Sequence, residues 1–552
     1  MAAAAPKLEA LQPVLAGELR KERPLPPMPR AAERAAQHKW LVAIAVMLGA
    51  TLEILDSSIV NVCLPHMQGS FSASVDEIAW VLTSYLVANG IMIPMTGWIS
   101  SRFGRKRYFM ISVSVFVAAS ALCGAAASLD QMVVFRLIQG AAGAAMVPSS
   151  QAILMETFPP AEQQLAMATW GVGLMVAPIM GPTLGGWITD NWNWRWNFYI
   201  NVPIGIIAFL MVSAFVHDPP FLREHRARSA RVDYLGIACL VIGLGAMQIV
   251  LDRGQRADWF ASSWVVWTTL LSAAALLILA INELRIADPI LDLRILKIKV
   301  FSVGLVLIVA MSSVLYGTGL LMPIFLQEFM GYTAWKAGLV LAPRGLATML
   351  SMVVVGQIAR RGFDTRPLVG AGFILMTIGL WTMSGWDLQV SLWVVVIPSV
   401  VMGLGMGMIF PTLSASSLSV VAREKIGYAA SLYNMMRNTG AAIGIAYMTT
   451  MLVDHEQVHQ SRLADHLSVF DAWKLSESAP RMPGAPSFHY LPQMIGGQHQ
   501  AFGMIYNAIQ AQAAILSFND IYRILAVVMA LMTPGFLLLR RGQRASGPSA
   551  AH

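Results

Sequence analysis

Charge is what this sequence has least of. Only 12% of its 552 residues are Asp, Glu, Lys or Arg, about half the ~25% of an ordinary soluble domain. That excludes a chain whose surface is mostly bathed in water. Cysteine is scarce too: Cys63, Cys123 and Cys239 are the only three. Each falls in an apolar stretch, so they read as small packing residues, and neither a disulfide framework nor a thiolate metal site is expected. The sequence has no GxxxxGK[ST] phosphate loop and no GxSxG nucleophile turn. An ATP-driven machine and an enzyme of those types are therefore not expected, and an ion gradient is the expected energy source, with no cofactor.

What the chain has instead is long hydrophobic runs, 56% hydrophobic residues with a mean hydropathy of +0.61. A helix needs about 20 apolar residues to cross a ~30 Å hydrocarbon core. Such runs recur near 40–64, 77–99, 108–128, 131–154, 165–188, 196–216, 234–251, 263–284, 301–326, 335–358, 367–385, 391–415, 426–452 and 519–540. This pattern predicts an all-α polytopic membrane protein with fourteen transmembrane helices. Residues 1–38 are rich in Ala, Pro, Lys, Arg and Glu without a sustained apolar core, so they read as a disordered cytoplasmic tail and not a cleaved signal peptide. Residues 541–552 read as a second such tail.

The net charge of +8 could point to nucleic acid, but its distribution points to membrane topology. The connections 100–107, 155–164, 217–233, 285–300, 359–367 and 416–426 together hold seventeen Lys or Arg, whereas the alternate set has Arg195, Arg253, Arg256 and Lys336. By the positive-inside rule the first set is cytoplasmic, and with fourteen spans both termini are cytoplasmic as well. One connection breaks the pattern of short loops: residues 453–518 are expected to form a long external loop. Its histidines, His455, His459, His466, His489 and His499, raise a metal reading, but they show no repeated ligand spacing and no neighbouring acid cluster, so no metal site is expected.

An internal echo points to duplication. GWISSRFGRKR at 97–107 and GQIARRGFDTR at 356–366 both put Gly at a helix end, followed by a basic loop. The expected organisation is a six-helix half over 39–216, an inserted helix pair with its flanking loops over 217–300, and a second six-helix half over 301–540. A substrate site between such halves, near the bilayer midplane, is a transporter plan.

Within the first run stand two acids, Glu53 and Asp56, three residues apart and so on one helix face. Lipid exposure of both would cost several kcal/mol, so that face is expected to look into a polar cavity. Two carboxylates held close in low dielectric resist carrying two negative charges, which suits a site that takes up and releases a proton. The competing reading is that Asp56 only ties its helix to a neighbour. Arg136 is the matching intramembrane cation; a buried partner and snorkelling to the interface are both open to it. Tyr85, Asn89, Arg344, Asn434 and Arg437 are further polar residues within apolar runs and are candidates to line the substrate path. The 34 Met and 16 Trp suit a plastic apolar cavity, although packing and interfacial roles account for most of them. Gly181, Gly185 and Gly186, with Pro178 and Pro182, allow close helix approach and bending in the fifth run. Gly97, Arg102, Gly104 and Arg105 form the tight basic loop after the second.

LDSSIVNVCLP (55–65), GWISSRFGRKRYF (97–109), RLIQGAAGAAMVPSSQAIL (136–154), APIMGPTLGGW (177–187) and WRWNFYINVPIG (194–205) resemble, in order and spacing, signatures of the major facilitator superfamily. The resemblance is to its fourteen-helix drug:proton antiporter branch, the EmrB/QacA type, over about residues 40–452 and 519–540. It implies a proton-coupled exporter of amphipathic drugs in a bacterial inner membrane. It also implies an antiporter role for the Pro178–Gly186 motif, a conformational latch at the 97–107 loop, and a part in proton transfer for Arg136. Ser101 stands where an Asp is common in that family, which leaves a charge relay at that position without its carboxylate. The last helix, QAAILSFNDIYRIL, resembles pumps that work with a periplasmic adaptor protein and an outer-membrane channel. A dedicated exporter of an endogenous metabolite, such as a siderophore or fatty acid, and a non-transporting receptor on the same fold are the alternatives.

Overall fold

A computed structural model describes residues 38–218, 232–286, 289–465 and 497–539. The described residues are helical, with no strand among them. The long helices are α1 Lys39–Phe71, α2 Trp80–Phe103, α3 Arg105–Ala125, α4 Leu129–Thr157, α5 Gln163–Asn191, α6 Trp196–Phe215, α7 Tyr234–Arg253, α8 Ser263–Arg285, α9 Lys299–Phe329, α10 Ala334–Arg360, α11 Arg366–Met383, α12 Leu392–Ser419, α13 Ile426–Asp465 and α14 Gly497–Met532.

Thirteen of these are long and apolar enough to span a membrane. The exception is α13. It carries Asn434, Arg437 and Asn438 in its first half, yet it packs between α2, α9 and α14 inside the bundle. Its polar side chains face protein, so helix–helix contacts keep in place a helix that hydropathy alone would not insert.

Local chemistry sets the ends. Ser128 caps α4 by accepting from the Gln131 amide, Thr333 caps α10 by accepting from Lys336, and Asp233 caps α7 by accepting from Gly236; each oxygen satisfies an amide with no partner inside its helix. Gly104 separates α2 from α3 at φ 93°, a conformation that side chains with a Cβ rarely adopt.

The first six and last six helices form two groups whose contacts follow one plan. Helix α5 packs along α10, and α2 packs along α13. If α1–α6 are matched in order to α9–α14, these two contacts exchange under a two-fold rotation, which is what a duplicated fold requires. The inserted pair α7–α8 packs on itself and beside α2.

The expected loop at 453–518 needs correction. Helix α13 runs on to Asp465, and α14 begins at Gly497. At 40 and 36 residues they are about 60 and 54 Å long, far more than the ~30 Å core demands. The sequence DHEQVHQSRLAD is polar but free of Gly and Pro, so helix propensity continues where apolarity stops. The two terminal tails, the 219–231 stretch and His466 and His489 lie outside the described residues.

The halves meet tightly at the basic-loop end. A Cβ on Gly97 would lie 2.7 Å from the Cα of Tyr428, so α2 and α13 touch backbone to backbone there. Ser101 Oγ is 3.1 Å from the Tyr428 hydroxyl, and it also donates to the Trp98 carbonyl at 2.8 Å. The serine thus joins the halves by a neutral hydrogen bond. Gly97→Val should push α2 from α13 at a cost of about 1–3 kcal/mol in overpacking. Spin labels at the exposed Phe103 and Glu424 positions would report it as a longer mean distance; an unchanged distance would show that this contact does not hold the end closed.

Candidate functional site

Asp56 and Arg136 form an ion pair at the centre of the N-terminal half. Both side chains are 0% exposed, and Arg136 Nη1 lies 2.6 Å from Asp56 Oδ2. Arg136 is therefore a buried partner, and the snorkelling alternative is excluded: its Nε donates to the Val81 carbonyl at 3.2 Å and its guanidinium sits 4.2 Å above the Tyr85 ring. The other carboxylate oxygen of Asp56 accepts from Gln139 Nε2 at 2.9 Å and Asn201 Nδ2 at 2.7 Å. Asn201 also donates to Ser120 Oγ at 3.0 Å, and Ser120 donates to the Phe198 carbonyl at 2.8 Å. This network links α1, α2, α3, α4 and α6 through one carboxylate. The carboxylate is thus fully engaged, with a direct countercharge on one oxygen and two amide donors on the other.

Glu53, one helical turn away, is different. It is only partly buried, and its hydrogen bond comes from Asn89 Nδ2, 3.0 Å from Oε1. Tyr85 stands close by with its hydroxyl unpartnered, and a Cβ on Gly143 would lie 3.1 Å from both the Glu53 Cγ and that hydroxyl. Gly143 therefore makes room for the acid where α4 turns between Gly143 and Met146. From the other half, Arg437 of α13 lies within Coulomb range of Glu53. Glu53 is thus a lightly held carboxylate that faces the opposite half, and chemically it can accept either a proton or a cation.

The remaining expected residues divide. Tyr85 and Asn89 are buried beneath Glu53 and support it. Asn434 is not at a cavity wall: it is fully buried and donates to Gln151 Oε1 of α4 at 2.6 Å, a contact across the halves. Arg344 is partly exposed in α10 and donates to Thr318 Oγ1 at 3.1 Å. Neither Arg344 nor Arg437 has a carboxylate within ion-pair distance among the described residues. Gly181 and Gly185 press α5 against α1, with Cβ positions 2.6 Å from Ser58 Cβ and 3.1 Å from Ile59 Cγ2. Gly186 does not share that role, for its Cβ would meet only Val62 at an ordinary 3.7 Å; one residue on, it points off the contact stripe. Pro178 and Pro182 lie within the helix without ending it. Arg105 pairs with Glu156 at 2.7 Å and both are nearly buried, while Arg102 lies over the Trp98 ring at 5.5 Å.

Gln139, Asn201, Gln151 and Glu156 carry much of this arrangement and were not singled out in the sequence. Gln139 had a signal, being three residues after Arg136 and on its face. Asn201 and Gln151 gave none, because an uncharged polar residue in an apolar run reads equally well as packing.

A family model described as Major Facilitator Superfamily matches residues 46–445. Multidrug export protein EmrB of Escherichia coli strain K12 is 35% identical over 488 residues, covering 87% of this chain and 91% of its own. Fatty acid resistance protein FarB of Neisseria gonorrhoeae is 33% identical, covering 91% and 96%. The crystal structure of the proton:xylose symporter XylE superimposes with a TM-score of 0.57 at 13% identity, over 90% of this chain and 96% of that one.

The two acids should separate by stability. Asp56→Asn leaves Arg136 buried without its countercharge and should cost about 3–5 kcal/mol. Glu53→Gln keeps its shape and its Asn89 contact and should cost less than about 1 kcal/mol. Denaturant or thermal unfolding of the detergent-solubilised variants would measure both, and equal losses would contradict the division.

Proposed function

The chain belongs to the Major Facilitator Superfamily, as a multi-pass secondary transporter and not an enzyme, and we propose that it is a proton-coupled exporter of amphipathic toxic compounds. The observation that carries the reading is the contrast between Asp56, which is fully paired, and Glu53, which is lightly held and faces Arg437 across the halves. The export direction is supported by the relatives named for multidrug export and fatty acid resistance.

In this mechanism ionised Glu53 attracts Arg437 and draws the two halves together around the centre. A proton arriving at Glu53 removes that attraction, and a cationic substrate competes for the same carboxylate. Proton and cargo are therefore mutually exclusive ligands of one carboxylate, each releasing the attraction in its turn, so that one leaves as the other binds, which is what exchange requires. Asp56 and Arg136 keep α1 rigid while Glu53 changes charge. The Gly97–Tyr428 and Gln151–Asn434 contacts close the basic-loop end, leaving the proton to enter from the opposite side. By the positive-inside pattern that side is external and the termini are cytoplasmic, and the relatives from Escherichia coli and Neisseria gonorrhoeae support a bacterial inner membrane. The extensions of α13 and α14 beyond the bilayer offer a surface to a periplasmic adaptor, with an outer-membrane channel beyond it.

A second reading follows from Arg344 and Arg437, two cations in the C-terminal half without ion-pair partners among the described residues. They suit a cargo with a carboxylate head and an apolar tail, in keeping with the relative named for fatty acid resistance.

Proteoliposomes containing an internal pH dye distinguish these. With lipophilic cations as cargo, substrate-dependent proton movement should be lost in Glu53→Gln and kept in Arg344→Gln. With a long-chain fatty acid as cargo, Arg344→Gln should lose transport as well. Proton movement that survives Glu53→Gln with every compound would refute Glu53 as the coupling acid.

A further inference from the structure

We propose that His455, His459 and Asp520 form a binding site for a single zinc-class divalent metal ion that clamps α13 to α14. The proposal does not rest on the transport reading. His455 and His459 are one turn apart on α13, so their rings project from one face. They converge on the same oxygen of Asp520 in α14: His455 Nδ1 is 3.2 Å and His459 Nε2 is 2.9 Å from Oδ2. All three ligand atoms lie within 4.8 Å of one another.

Those spacings are close to what an ion demands. Zinc held at about 2.0–2.1 Å by imidazole nitrogen and carboxylate oxygen in a tetrahedron separates its ligand atoms by roughly 3.3–3.4 Å. Rotamer adjustments of a few tenths of an ångström would open the two nitrogen–oxygen distances to that size, and the two nitrogens, within 4.8 Å of each other, would settle around the ion with them. Two imidazoles and a carboxylate suit borderline cations such as Zn²⁺, which take N and O ligands together, better than hard Ca²⁺ or Mg²⁺, which take oxygen alone. The side chains are 30%, 17% and 30% exposed, so an ion can enter and water can complete its coordination. Arg523 approaches the other Asp520 oxygen, Oδ1, at 3.6 Å, which orients the carboxylate and leaves Oδ2 to the histidines.

The cluster lies where the apolar parts of both helices end and their polar extensions begin. An ion there would join two antiparallel helices that flank the 466–496 connection. The sequence spacing hid this arrangement because the acid lies 61 residues beyond the nearer histidine and outside the histidine-rich stretch.

Full-length protein purified with a histidine-free affinity tag and stripped with EDTA should bind one Zn²⁺ per chain in a calorimetric titration. Loss of even an outer-shell partner costs a metal site roughly 10–100-fold, so His459→Ala and Asp520→Asn should each weaken binding by at least about tenfold. Co²⁺ should give a tetrahedral visible spectrum in the wild type that both variants lose. His455→Cys guards against misfolding: it should retain Co²⁺ and add a thiolate-to-cobalt absorption band. Absence of saturable Zn²⁺ binding at micromolar metal by the wild type would overturn the site. So would undiminished affinity in both loss variants, or Co²⁺ binding by His455→Cys without the thiolate band.

Discussion

The structure depends on one charge pair placed where charge is expensive. An arginine at the centre of a transmembrane helix costs about 2.5–3.5 kcal/mol on insertion scales, and a carboxylate beside it would add a similar penalty if unpaired. Asp56 and Arg136 offset each other, and Gln139, Asn201 and the Val81 carbonyl take up most of their remaining hydrogen-bonding capacity. One Arg136 nitrogen, Nη2, is left without a hydrogen-bond partner; the Tyr85 ring beneath the guanidinium gives the cation a π face. Because five helices contribute to this network, the N-terminal half is held at its middle as a rigid body.

Rigidity on one side gives meaning to the looseness on the other. Glu53 shares a helix with Asp56, so the pair that fixes α1 also fixes where Glu53 stands. Its surroundings are built to leave it adjustable: an amide on one oxygen, an unpartnered tyrosine hydroxyl nearby, and the space opened by Gly143. Across the gap Arg437 belongs to a helix that packs against α2, which puts the Glu53 carboxylate beside the interface between the halves. Small residues make that interface sensitive. Gly97 against the Tyr428 backbone brings the halves so close that one added methyl would disturb the fit.

Much of this was legible in the sequence, and for physical reasons. Charges inside apolar runs carry a cost that demands a partner, so Glu53, Asp56 and Arg136 stood out, while which of them pair with one another did not. Closely spaced glycines and prolines similarly marked α5. The uncharged members of the network were less legible: an amide in an apolar run needs a hydrogen-bond partner, but Asn201 and Gln151 carry no sign that would single out which one, and only the spacing of Gln139 from Arg136 gives a hint. The 453–518 stretch is hidden in a different way. Hydropathy reports what prefers lipid, whereas the extensions of α13 and α14 are helices that need no lipid at all. The neighbourhood of His455, His459 and Asp520 follows from α13 running on to Asp465 and α14 starting at Gly497, which sets the two helices side by side.

The proposed coupling turns on whether Glu53 is the carboxyl that takes up the proton. Infrared difference spectroscopy of the protein in lipid, recorded on addition of substrate, reads carboxyl protonation directly. A protonated-carboxyl band that changes with substrate and pH and is absent in Glu53→Gln is the expected result. A band that persists in Glu53→Gln and disappears in folded Asp56→Asn would contradict it and move the proton to the buried pair.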